Sequence, residues 1–148
     1  QPQQILNAKI KKIIKTESFL NLNRCKKWSS NAQKIKKQLI AEIAKARKTS
    51  QKIIGYGASA KGNTLLNYFK ITQNEISYIA ENNPKKIGLL TPGSHIPIVS
   101  DYDFLQKMPE YAVLLSWNYL DYFLSNSPYI KKGGKFIVPL PDVTIQPN

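Results

Sequence analysis

Residues 52–69 read KIIGYGASAKGNTLLNYF, and this stretch decides the fold. The apolar pair Ile53-Ile54 predicts a short strand, and Gly55 to Gly62 a glycine-rich turn. Leu65, Leu66 and Phe69 predict one face of a helix. A helix that starts directly after such a turn aims its unpaired N–H groups into it, and glycines let an anionic group approach the backbone. The unit is therefore suited to a nucleotide-like or otherwise anionic ligand.

Upstream, QILNAKIKKIIK (4–15) sets isoleucines near helical spacing among lysines, which predicts a short helix or an extended linker. Thr16 followed by Glu17 is an expected helix start, with Phe19, Leu20 and Leu22 opening a second apolar set. From about residue 30 to 48, Ile35, Leu39, Ile43 and Ala46 recur at i, i+4, i+8 and i+11, which predicts a helix that Thr49-Ser50 ends.

Downstream, residues 76–81 predict a second strand ending at Glu81, and Asn82-Asn83-Pro84 a turn. Residues 85–97, with two glycines and two prolines, predict a structured loop. Ile98-Val99 predicts a brief strand and 101–107 a short helix. The run from Tyr111 to Leu115 is continuously apolar, as expected of a strand covered on both faces. A helix over about 119–126 and a last strand, 135–138, ended by Pro139, complete the alternation. The expected class is α/β: a Rossmann-like, doubly wound, mainly parallel sheet preceded by a long N-terminal helical segment. The expected division is a basic helical segment, 1–50, and a sheet domain, 51–148.

At 148 residues the chain is long enough for one core. It has no apolar run of the roughly 20 residues that a membrane span requires, and no signal peptide is visible. Cys25 is the only cysteine, so an intrachain disulfide is excluded and a cytoplasmic setting is expected. The start Gln1-Pro2-Gln3, with Met108 the sole methionine, leads us to expect a piece of a longer protein. The net charge of +13 is uneven: residues 1–48 hold 13 Lys/Arg against Glu17 and Glu42, and residues 49–148 hold 9 against 7 acids. We read the basic segment as a solvated helix face or one turned toward an acidic neighbouring domain. A nucleic-acid partner is not expected, because no recognition pattern of arginines and aromatics accompanies the lysines.

In doubly wound sheets, ligands bind beyond the carboxyl ends of the strands. The loops there are 56–63, 81–83, 116–118 and 139–142. The candidate ligand contacts are Tyr56, Gly57, Ala58, Ser59, Lys61, Gly62 and Asn63 on the turn, then Glu81 and Asn82, His95, and Trp117 with Asn118. Gly55 to Ala60 fits G-x-G-x-x-G/A, and Glu81 follows Ala60 by 21 residues, near the usual acidic ribose ligand. An NAD(P)-binding oxidoreductase module is thus one reading. Lys61 and Asn63 could hold phosphate oxygens or a hydroxyl. His95, the only histidine, is either a turn-fixing residue or a ligand contact, and Trp117 either closes the core or stacks on a ring. No metal site and no catalytic set can be assembled.

Four ordered motifs carry a resemblance: GYGASAKGNTLLNYF (55–69), NNPKKIGLLTPGSHIPI (82–98), LLSWNY (114–119) and GGKFIVPLP (133–141). Over about residues 17–146 the chain resembles the C-terminal domain of bacterial S-adenosylmethionine-dependent C-methyltransferases acting on nucleotide-linked deoxysugars. The resemblance implies that S-adenosylmethionine and the catalytic base belong to an upstream methyltransferase domain. It also implies that this domain helps to form the nucleotide-sugar cleft without being catalytic or binding a cofactor itself. One departure is Glu81, where the family commonly has Asp.

Overall fold

The computed structural model describes residues 2–17, 20–50 and 52–147, with side chains from Asn7 onward. It divides into two compact units, Gln1–Lys34 and Ile35–Asn148.

The first unit holds helix α1 (Pro2–Thr16) and the start of helix α2 (Leu22–Ala46). The lysine-rich segment is a helix rather than an extended linker. Thr16 does not begin a helix, contrary to expectation: it is the last residue of α1, and its hydroxyl donates to Ile13 O at 2.7 Å. The cap of α2 is Asn21, whose Oδ1 accepts from Arg24 N–H at 3.0 Å. An asparagine at that position satisfies one of the four orphan donors, so the helix begins well before residue 30. Phe19 lies outside the described residues.

In the second unit, the strands are β1 (Ile54–Tyr56), β2 (Ile79–Glu81), β3 (Ile98–Ser100), β4 (Tyr111–Leu114), β5 (Lys135–Val138) and β6 (Thr144–Gln146). They form one sheet in the order β3-β2-β1-β4-β5-β6. All neighbouring pairs are parallel except β5 and β6, which are antiparallel. Successive connections run outward from β1 through β2 to β3, and the chain then returns to place β4 on the other side of β1. That reversal leaves a gap between the diverging loops at the carboxyl ends of β1 and β4.

The side-chain period of two sends alternate residues of each strand into different cores. Val113, Leu115 and Ile137 join Ile35, Leu39, Ile43 and Ala46 of α2 and Leu65, Leu66 and Phe69 of α3 (Ala60–Phe69). Ala112, Leu114, Phe136 and Val138 pack on the opposite face with Phe104 of α4 (Asp101–Lys107) and Tyr129 of α6 (Pro128–Lys131). Leu120 and Phe123 of α5 (Leu120–Asn126) flank that second core. The i, i+4, i+8, i+11 stripe is thus the buried face of α2. Strand β6 was not expected: residues 144–146 are three, none of them fully buried, so no alternation marks them.

Candidate functional site

β1 runs through Gly55 and Tyr56, so the turn proper starts at Gly57, whose φ is +84°. Ser59 caps α3: its Oγ accepts from Gly62 N–H at 2.9 Å and donates to Leu115 O at 2.7 Å. Local capping and the approach of the residues after β4 are therefore joined in one hydroxyl. The glycines face the same neighbour. A Cβ on Gly57 would lie 2.4 Å from Ser116 Oγ, and one on Gly62 would lie 2.7 Å from Leu115 Cβ. The room that glycine gives here is filled by the segment following β4.

Glu81 ends β2 with its side chain only 11% exposed. Its Oε2 accepts from Ala58 N–H at 3.0 Å, and its Oε1 accepts from the N–H groups of Asn82 at 2.9 Å and Asn83 at 3.1 Å. Lys86 Nζ donates to Ala58 O at 2.8 Å and lies 3.4 Å from Glu81 Oε2. The carboxylate thus ties the loop after β2 to the glycine turn, and the lysine offsets its charge.

Beyond the carboxyl ends of β1, β2 and β4 lies a crevice of about 180 Å³. Tyr56, Gly57, Ala80, Glu81, Asn82, Asp101, Ser116, Tyr119 and Phe123 form its lining. Burial raises the Tyr56 hydroxyl above the usual tyrosine range; a hydrogen bond with Ser127 opposes the rise, and the charges of Asp101 and Glu81 add to it. The phenol therefore stays protonated, as a donor, at neutral pH. A second cavity of about 460 Å³ lies against the other side of the turn, lined by Ala58, Ser59, Ala60 and Asn63 together with Leu66, Ile79, Leu89, Leu90 and Leu115, among others.

The residues expected from sequence are thus distributed. Tyr56, Gly57, Glu81 and Asn82 meet in the crevice, whereas Ala58, Ser59 and Asn63 line the apolar cavity. Lys61 and Gly62 sit in the first turn of α3 and line neither; Lys61 is exposed and Gly62 buried. His95 is exposed, in the left-handed region at φ 53°, and its N–H donates to Thr91 O at 2.9 Å. Trp117 is half-buried against both cores, and Asn118 is exposed; neither residue lines the crevice or the apolar cavity. Sequence reasoning missed Asp101, Tyr119 and Phe123. Asp101 follows directly on β3, a carboxyl-end position that could have nominated it. Among the described residues no three His, Cys, Asp or Glu side chains gather to hold a metal, and no helix is long and apolar enough to cross a membrane.

Comparison with known proteins agrees with the motif resemblance. Over 91 residues the chain is 37% identical to the C-methyltransferase NovU of Streptomyces niveus, a match covering 61% of this chain and 22% of NovU. The chain thus spans about a fifth of that relative's length. The profile of the C-methyltransferase C-terminal domain matches residues 2–141, nearly the whole chain, and the chain belongs to that family.

Proposed function

We propose that this chain is the substrate-binding, C-terminal part of a sugar-nucleotide C-methyltransferase and forms one wall of the nucleotide-sugar cleft. The observation that carries this reading is the crevice, where the loops following four parallel strands meet at the reversal of strand order in a member of this family. That order, with helices on both faces, supports a Rossmann-like, doubly wound description of residues 51–148, and we assign residues 1–50 to a basic helical segment. The methyl donor, S-adenosylmethionine, belongs on an upstream methyltransferase domain of the same cytoplasmic enzyme. The crevice of about 180 Å³ does not fit the whole donor, since pockets for ligands of that size measure roughly 300–1,000 Å³.

The NAD(P) reading is weaker. The carboxylate expected to grip a ribose is engaged with Ala58, Asn82, Asn83 and Lys86, and the space above Gly57 holds Ser116.

In the proposed arrangement, exposed Lys61 at the start of α3 holds the substrate phosphates together with the helix N-terminus. Calorimetric titration with a pyrimidine-nucleotide sugar tests this. Lys61→Ala removes a charge-assisted bond worth about 1.5–3 kcal/mol, so Kd is expected to rise about tenfold to a hundredfold. An unchanged Kd would rule out the phosphate contact.

A further inference from the structure

The lining of the crevice distinguishes between the parts of such a substrate. The anion seat of the glycine turn is filled from within the chain, because Ala58 N–H already donates to Glu81 at 3.0 Å. A phosphate entering there would displace a carboxylate that also accepts from Asn82 and Asn83. No lysine or arginine lines the crevice among the described residues; its ionisable groups are Glu81, Asp101, Tyr56 and Tyr119. Of the two ordinarily charged groups there, Glu81 is offset by Lys86 Nζ at 3.4 Å, and Asp101 repels a phosphate at close range.

The same lining suits a different guest. Phe123 and the aromatic face of Tyr119 offer apolar surface, while Asp101, Ser116 and Asn82 offer acceptors and donors. About 180 Å³ holds a fragment rather than a whole nucleotide sugar. Resting on the reading above, we infer that the crevice seats one uncharged, hydroxyl-bearing ring of the substrate, with the phosphates held outside it. Two rings share that chemistry, the hexose and the ribose.

Amide NMR titration of the 148-residue chain separates these cases. The probes are methyl α-D-glucopyranoside, uridine, inorganic pyrophosphate and uridine diphosphate glucose. Saturable movement of the Gly57, Asn82, Ser116 and Tyr119 amides by the glucoside identifies the hexose as guest, and movement by uridine the ribose. Pyrophosphate is expected to leave these four amides in place. Asp101→Asn should weaken the neutral probe about two- to tenfold, the worth of one hydrogen bond. Asp101→Lys should also admit pyrophosphate to the same amides.

Pyrophosphate moving these amides in the unaltered chain, or neither neutral probe moving them, overturns the inference. So does nucleotide-sugar binding that leaves them unmoved, although the proposed function then survives. A nucleotide sugar that binds nowhere on the chain overturns the proposed function itself.

Discussion

The two cavities on either side of the glycine turn have little in common. The crevice is small and lined by aromatic rings, hydroxyls and two carboxylates; its neighbour is more than twice as large and lined mainly by aliphatic side chains. The chain passes from one to the other within a single step, since Gly57 lines the crevice and Ala58 the apolar cavity. A fingerprint that reads as one motif therefore has two sides with different chemistry. The crevice side gathers two carboxylates and aromatic hydroxyls, whereas the other side sets Ser59, Asn63, Lys86 and Thr91 among aliphatic side chains. What keeps the two apart is the set of bonds holding the turn, Glu81 to Ala58 on one flank and Ser59 to Leu115 O on the other, with Ser116 packed against Gly57.

The strongest way to break this separation is Gly57→Ala. The new methyl group would meet Ser116 Oγ at 2.4 Å in a left-handed backbone. The conformation costs about 1–2 kcal/mol for an L residue, and overpacking adds about 1–3 kcal/mol. Urea unfolding should show the sum, and adding Ser116→Gly should recover the overpacking share alone. A double variant no more stable than the single one would show that the clash is not what requires glycine here. Next in size is Glu81→Gln, which removes an ionised acceptor for Ala58, Asn82 and Asn83 and the partner of Lys86. The side chain is largely buried, so a loss of about 1.5–3 kcal/mol is expected, with faster hydrogen exchange at the Ala58 amide. Unchanged stability and exchange would mean that the carboxylate does not tie the two loops.

The contrast also explains what could be read from sequence. Apolar spacing located the buried face of α2 because Ile35, Leu39, Ile43 and Ala46 are all sealed in one core. It missed the first turns of the same helix, where Leu22 is 69% and Trp28 49% exposed, so no stripe marks them. There the start depends on Asn21, a single capping residue. Strand-then-turn reasoning found Tyr56, Gly57, Glu81 and Asn82 because each lies at or just beyond a strand's carboxyl end. It also gathered Ala58, Ser59 and Asn63, since a linear motif does not say on which side of the turn each residue falls. Tyr119 and Phe123 enter the crevice from the short helical segments after β4, whose placement depends on packing against the second core rather than on any local signal.

Smaller effects sharpen the comparison from the apolar side. Asn63 Oδ1 is buried without a hydrogen-bond partner among the described residues, beside that cavity. Removing an unsatisfied acceptor recovers a desolvation penalty of about 1–3 kcal/mol, reduced by the van der Waals packing that the truncated side chain no longer makes. Asn63→Ala is thus expected to stabilise the chain by about 1 kcal/mol in urea unfolding. A decrease of that size would show that the amide makes a bond in solution.

Leu89→Ser is the mildest test. Leu89 lines the apolar cavity yet is 57% exposed, so the substitution should change stability by no more than about 0.5 kcal/mol. Its value lies in the crevice amides. If the Glu81 and Ser59 bonds isolate the two sides, Gly57, Asn82, Ser116 and Tyr119 should keep their shifts and their response to a neutral ring. A changed response, at unchanged stability, would show that the turn transmits packing from one cavity to the other, and that the crevice cannot be treated as a separate site.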